Sequence, residues 1–404
     1  MVVALVGTLD TKGQEYAWLR ERLRELGCEV VVVDAGVGEA STPADIGNAQ
    51  VAEAAGAGIE ALRAAGDRGA AVAAMGEGAA AVLAGLHAGG GLDGVLAVGG
   101  SGGSSIAARA VRDLPIGLPK VIVSTMASGD VSPYVGAKDV TIMYSVVDIA
   151  GVNRVSRLIL GNAAAAVAGM ASARRAASEQ AAGDDRPLVA ASMFGVTTPA
   201  VDAARARLDE LGYEVLVFHA TGSGGRALEG LVESGLIAGV LDLTTTELAD
   251  DLVGGVLSAG PDRLTAAGRR GVPQVVAPGA LDMVNFGPRE TVPERFEHRT
   301  LYVHNPTVTL MRTTPEEMAE LGRRVAAKLS RATGPAVLFV PLGGVSALDA
   351  PGLAFHDPKA DQALFEALSG VPGAERLDLH INDPAFGRAM AERLHELIST
   401  GGPK

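Results

Sequence analysis

The sequence predicts an α/β protein made of two Rossmann-like subdomains with mainly parallel, doubly wound sheets. Three observations carry that expectation. Short Val-rich runs alternate with helical stretches at the spacing of strand–helix–strand units. Those runs are apolar throughout, the pattern of strands covered on both faces. The unit that opens the chain also reappears near its middle.

Val2 to Val6 reads as the first strand. A helix follows with Trp18, Leu19, Leu23 and Leu26 on one stripe, and Gly27 stops it where a left-handed cap is wanted. Val30 to Val33 is the second strand. The alternation continues with a helix through Ala70 to Leu86, a strand at Val95 to Val98, a helix from Ser104 and a strand at Val121 to Val123. A long alanine-rich helix, about Val152 to Ala177, runs into a polar, aperiodic stretch ending at Pro187. We therefore expect a nucleotide-binding α/β domain over 1–178, a linker over 179–187 and a second α/β domain over 188–404.

Leu188 to Ala191 is again a strand, a helix ends at Leu211-Gly212, and Val215 to Phe218 is a strand. A shift of 185 positions places Arg20, Arg22, Leu23, Glu25, Leu26, Gly27, Glu29 and Val30 on identical residues from Arg205 to Val215. Strands near Ile237–Leu241, Gln274–Ala277 and Val337–Val340, with helices near Pro315–Leu329 and Pro358–Leu368, continue the second half.

Composition narrows the function. Of 404 residues, 48% are hydrophobic and 20% charged, enough for packed cores and against disorder. The 53 glycines and 3% aromatics suit close packing of helix on sheet. A net charge of −13 argues against nucleic acid or an anionic membrane as the principal partner. The single cysteine, Cys28, excludes an internal disulfide framework and a Cys-based zinc cage; a buried small hydrophobe is expected there. The first ten residues lack a basic start and reach Asp10 too soon for a signal peptide, and no long uninterrupted apolar segment suggests a membrane span. A cytoplasmic homo-oligomer is expected.

In open parallel sheets ligands lie outside the carboxyl ends of the strands. After the first strand comes Gly7-Thr8-Leu9-Asp10-Thr11-Lys12-Gly13, which joins hydroxyls, a lysine and a helix N-terminus. After the Val95–Val98 strand comes Gly99-Gly100-Ser101-Gly102-Gly103-Ser104-Ser105, whose glycines let a phosphate reach backbone N–H groups. It is neither a Walker A motif nor a strict G-x-G-x-x-G, and a tight strand-to-helix turn is the alternative. Gly76-Glu77-Gly78 reads as a further glycine-rich turn, and Ser124-Thr125-Met126-Ala127-Ser128-Gly129 with its long polar continuation as a fourth loop. Together the four suggest a phosphate cradle.

These loops, with Gly279-Ala280-Leu281-Asp282-Met283-Val284-Asn285, His304-Asn305-Pro306 and His380-Ile381-Asn382-Asp383-Pro384, resemble a largely uncharacterised two-domain family. That family is related to the ATP-binding, inhibitory N-terminal region of the tomato mosaic virus resistance protein. The resemblance covers essentially the whole chain. It implies two Rossmann-like subdomains and ATP in the first, with Mg²⁺ as its companion; the barrel domain of the longer plant homologue is not expected, and the antiviral role does not transfer.

Six of the seven histidines lie in the second half. His304 and His380 each end an apolar or alternating stretch and stand beside Asn305 and Asn382. With Asp282 and Asp383 they are candidates for general acid/base work near neutral pH, or for structural hydrogen bonding. Asn285, Arg299, Asn305, Arg312, Ser346 and Asn382 are candidates for holding a small anionic metabolite. No metal-binding spacing supports a metal site here. An ATP-binding protein, a metabolic enzyme with histidine chemistry and a ligand-sensing module without turnover are the three readings.

Overall fold

Val2–Gly7 forms β1, and from Val3 onward every residue in it is buried, as a strand covered on both faces requires. The computed structural model describes residues 1–180 and 186–400, and the chain divides into two units, Met1–Asp184 and Asp185–Lys404. The linker expected at 179–187 lies largely outside the described residues.

In the first unit β1 leads to α1 (Leu9–Glu25), β2 (Glu29–Asp34), α2 (Asn48–Ala54), α3 (Ile59–Ala65) and α4 (Arg68–Ala88). Next come β3 (Gly94–Gly99), α5 (Ser101–Val111), β4 (Lys120–Ser124), α6 (Ser132–Val135), β5 (Thr141–Tyr144) and α7 (Arg154–Gln180). The five strands form one parallel sheet in the order β2-β1-β3-β4-β5. Alternate side chains serve opposite faces. Val3 and Leu5 pack with Leu19 and Leu23 of α1 and Leu160 and Val167 of α7. Ala4 and Val6 pack with Val51, Met75, Leu83 and Ile106 from α2, α4 and α5. The helices α4 and α7 are long and apolar enough to cross a membrane, and both turn an apolar face to this sheet. Cys28 is a buried core residue.

The second unit runs β6 (Leu188–Met193), α8 (Thr198–Glu210), β7 (Glu214–His219), α9 (Ser223–Glu233), β8 (Ile237–Thr244), α10 (Glu247–Val253), α11 (Ala266–Arg270) and β9 (Gln274–Gly279). It continues with β10 (Met283–Phe286), β11 (Leu301–Asn305), β12 (Val308–Arg312), α12 (Pro315–Leu329), β13 (Ala336–Pro341), α13 (Pro358–Leu368), β14 (Glu375–Leu377) and α14 (Pro384–Thr400). Six strands form a parallel sheet, β14-β13-β9-β8-β6-β7. A small antiparallel sheet, β10-β12-β11, was not expected from the sequence.

The repeated sequence is a repeated structure. In both β1-α1-β2 and β6-α8-β7 the helix ends in a glycine at positive φ, 81° at Gly27 and 91° at Gly212. In both, the next N–H closes back on a leucine carbonyl at 3.0 Å, Cys28 on Leu23 and Tyr213 on Leu208. That is the left-handed cap with its long return bond.

Candidate functional site

The strand order 2-1-3-4-5 reverses between β1 and β3, and the crevice outside their carboxyl ends is where such sheets bind ligands. Here the two strands stop pairing after Val6 and Ala97. Tyr16 of α1 takes over where the ladder ends. Its hydroxyl donates to the Val6 carbonyl at 2.6 Å and accepts the Val98 N–H at 2.8 Å. Burial pushes the phenol well above its ordinary pKa, so it keeps its proton. A Cβ on Gly7 would lie 1.9 Å from that hydroxyl, so only glycine fits there. At the end of β2, Asp34 accepts from the Leu9 and Gly36 N–H groups at 3.1 and 2.9 Å, which fastens the start of α1 to the following loop.

A cavity of about 570 Å³ opens on this crevice, within the range of small-molecule sites. Thr8, Asp10, Thr11 and Lys12 line one side and Gly99 to Gly103 another. The third wall is Arg63, Asp67 and Arg68 from the α3–α4 connection, with Asp148 nearby. Helix α5 starts at Ser101 behind Gly100, which has no side chain to cap it. Its first internal bond runs from the Ser104 N–H to the Gly100 carbonyl, so the N–H groups of Ser101, Gly102 and Gly103 precede the helical ladder. A Cβ on Gly99 would lie 2.8 Å from the Gly103 Cα, so the loop can close this tightly only with glycine.

The charged groups differ in what they already hold. Arg63 donates to Glu60 and to the carbonyls of Val37 and Gly38, and the Lys12 ammonium donates to the Ile149 carbonyl. Arg68 has no hydrogen-bond or ion-pair partner among the described residues, and its Nη2 would lie 3.6 Å from a Cβ on Gly102. It therefore stands over the start of α5 as an uncommitted cation. Asp10 accepts the Gly38 N–H at 2.8 Å through Oδ2, while its Oδ1 is buried without a partner among the described residues. Val37, Leu62, Ala71, Val72 and Ile106 make an apolar end to the same cavity.

Several sequence expectations are corrected. Gly76 and Glu77 are not in a turn; they sit within α4, where Gly76 packs on Arg109 and Glu77 forms a forked pair with the Arg109 guanidinium at 2.6 and 2.5 Å. Gly78 lets α4 pass close to the Val51 carbonyl. These glycines serve helix packing. Ser124, Thr125 and Ser128 do not line the cavity. Ser124 instead bonds the Ser104 hydroxyl at 2.6 Å and accepts the Met126 N–H, tying the exit of β4 to the first turn of α5. Sequence reading missed Arg63, Arg68 and Asp148. The available signal was Gly66-Asp67-Arg68, a left-handed stop followed by an aspartate that caps α4 at the Ala70 N–H.

In the second unit the carboxyl end of β8, beside the corresponding crevice between β6 and β8, carries a buried charge cluster. Arg263 is fully buried there and pairs with Asp242 and Glu247, both at 2.6 Å, with Glu229 at 3.3 Å and with the Thr244 carbonyl. The two histidines do not form an acid/base pair: no hydrogen bond or ring contact joins them among the described residues. His304 is exposed on the β11–β12 hairpin rather than at a parallel strand's exit, and Asn305 accepts the Thr307 N–H at 2.9 Å to close its turn. His380 spends both ring nitrogens. Nδ1 accepts the Asn382 N–H at 3.1 Å, so Nε2 carries the proton and donates to the Ser346 carbonyl at 3.0 Å.

The remaining candidates are likewise engaged. Asp383 accepts the Ala385 N–H at 2.8 Å at the start of α14, and Asn382 donates to the Val196 carbonyl at 2.9 Å. Arg299 holds Glu317 and the Arg312 carbonyl, and Asn285 donates to Asp250 at 2.7 Å. Asp250 is pushed up to about 7 by burial. Arg312 pairs with Asp361 at 2.6 Å, and Ser346 donates to Asp282 at 2.6 Å. Among the described residues no group of three or more acids, histidines or cysteines is arranged to hold a metal.

The model of the N-terminal domain of the uncharacterised protein family UPF0261 matches residues 1–176, and that of its C-terminal domain matches residues 186–398. A UPF0261 protein of Clostridium tetani is 51% identical over 98% of both chains. The ToMV resistance protein Tm-1(GCR237) of Solanum lycopersicum is 42% identical over 98% of this chain and 55% of that protein. A UDP-N-acetylglucosamine 2-epimerase structure from Rickettsia bellii covers 68% of this chain and 78% of its own at 11% identity and a TM-score of 0.22, too low to carry an argument. With both domain models matched in order along nearly its whole length, the chain belongs to the UPF0261 family.

Proposed function

We propose that the first unit binds ATP in the crevice between β1 and β3. The observation that carries this reading is Arg68, a guanidinium without a partner among the described residues, standing over the free N–H groups at the start of α5 inside a cavity at the sheet's switch point. Helix N-termini and arginine forks are strong phosphate binders, and the apolar end from Val37 to Ile106 suits a base. The resemblance seen in the sequence supplies the choice of ATP among phosphate ligands. Asp10 and Asp148 line the same cavity, and the buried, unpartnered Oδ1 of Asp10 fits a role in holding Mg²⁺ against the phosphates. Magnesium there would neutralise phosphate charge beside two carboxylates.

Thermal shift with ATP, ADP, adenosine and tripolyphosphate tests the proposal. ATP at about 100 times its Kd is expected to stabilise by about 2.7 kcal/mol, and adenosine alone by much less. No shift with any phosphate-bearing ligand would overturn it.

A further inference from the structure

Between β5 and α7 of the first unit the chain forms a strap over residues 145–153. It leaves the edge strand β5, where the Ser145 N–H donates to the Ser124 carbonyl at 3.2 Å, and comes to rest on α1, whose own strand lies three places away in the sheet. Two α1 side chains hold it there. The Lys12 ammonium donates to the Ile149 carbonyl, and the buried Glu15 carboxylate accepts the Gly151 N–H at 2.7 Å. Ile149 itself is buried with Leu5, Leu9 and Leu160. Helix α1 is kinked at Lys12 (φ −127°, ψ 21°), so this latch stands on the turn that also walls the β1–β3 cavity.

Two features oppose these tethers. The Val147 N–H donates to the Ser145 carbonyl at 2.7 Å, closing a three-residue turn around Val146 at a φ of +62°. A positive φ at the centre of such a turn is the rare, strained form, and a β-branched residue is the least suited to it. The Val146 side chain is 60% exposed, so packing does not account for the conformation. Second, the Asp148 carboxylate lines the same cavity as Asp10, two like charges facing one space. One Asp148 oxygen accepts the Ile149 N–H at 2.8 Å, right beside the carbonyl that Lys12 holds. The shut strap thus carries both strain and repulsion, and strained backbone of this kind gathers at ligand clamps and switch regions.

We propose that the 145–153 strap opens and shuts at the cavity and that the bound nucleotide holds it shut; this rests on reading the cavity as a phosphate site. An ammonium has three N–H donors. A phosphate on a second one fixes Lys12 without breaking its bond to Ile149. Mg²⁺ beside the phosphates would give the Asp148 carboxylate an attractive partner where it now meets only repulsion. Both contacts favour the shut form, which is the differential affinity a ligand needs to shift a conformational equilibrium. Strain at Val146 lowers the shut fraction of the free protein, and the apparent affinity falls by the same fraction.

The test is hydrogen exchange of the full chain, read on the peptide covering 145–153 with and without MgATP, with thermal shift on the same samples to report binding. MgATP is expected to slow exchange in that peptide about tenfold or more. Val146→Gly, an exposed substitution outside the cavity lining, removes the strained φ. It is expected to slow exchange of the strap in the ligand-free protein and to tighten MgATP binding about threefold or more. Asp148→Asn is expected to abolish the extra protection that Mg²⁺ adds to ATP alone. A thermal shift with protection at Gly99–Gly103 and none at 145–153 would overturn the strap and leave the nucleotide site standing. No thermal shift and no protection anywhere would overturn both. Strap exchange and MgATP affinity that Val146→Gly leaves unchanged would overturn the role given to the strained turn, and with it the proposal.

Discussion

Gly102→Val separates a phosphate cradle from a simple turn. A Cβ at this position meets Arg68 Nη2 at 3.6 Å and Val72 Cγ2 at 3.8 Å, both ordinary contacts, and Gly102 does not use a positive φ. It lies in the first turn of α5, where valine has a better helix propensity than glycine by a few tenths of a kcal/mol. The fold should therefore keep its stability or gain slightly. The ligand would lose far more. The valine methyls fill the space between the Ser101–Gly103 N–H groups and Arg68, removing one contact to the guanidinium and at least one to the backbone. Hydrogen bonds to charged groups contribute about 1.5–3 kcal/mol each, so about 3–6 kcal/mol of binding is at stake, a loss of more than about 100-fold. Titration calorimetry with ATP, paired with a melting curve of each protein, reads both quantities. Unchanged ATP affinity in a folded Gly102→Val variant would mean that this loop is only a strand-to-helix connection.

Other perturbations test other parts of the structure. Asp250, pushed up to about 7 by burial, binds a proton in the folded state that the unfolded chain releases near pH 4. Its contribution is full below about pH 4 and is lost as pH rises to about 7, on the order of 4 kcal/mol at most. Asp250→Asn should flatten the stability–pH curve across that window in urea titrations; parallel curves would contradict the assignment. His380→Gln should cost about 1–3 kcal/mol, because the buried-side Ser346 carbonyl and the Asn382 N–H lose their shared partner, while exposed His304→Gln should leave Tm unchanged. The reverse pattern would restore a structural role to His304. Lys12→Ala should weaken ATP more than adenosine, though less than loss of Arg68 does, since its ammonium is already held by Ile149; equal weakening of both ligands would take Lys12 away from the phosphates.

The parallel sheets were readable because buried strands write themselves as uninterrupted apolar runs, and both α1 and α8 were bounded by glycines that the left-handed cap demands. Gly99 to Gly103 was readable for a similar local reason, since the turn needs glycine wherever its backbone closes on itself. Gly76-Glu77-Gly78 misled because glycine also marks close helix packing, and only the neighbouring Val51 and Arg109 tell the two uses apart. Arg68 was missed because it reaches the loop after β3 from a separate helix, a tertiary fact with no local signature. The histidine pair failed as a site for a related reason: strand-end position is visible in sequence, whereas the closed hydrogen bonds of His380 are not. Asp349 and Asp361 meet Arg312 from a stretch of chain well beyond it, with no spacing to announce the contact.

Calorimetric titration of ATP with Mg²⁺ into the parent chain and into Arg68→Ala tests the nucleotide site most directly. Arg68 has no structural partner to lose among the described residues, so the variant is expected to fold normally and to bind ATP about tenfold or more weakly while its affinity for adenosine stays the same. Failure of the parent to bind ATP, or equal ATP affinity in the two proteins, would contradict a phosphate site at the start of α5.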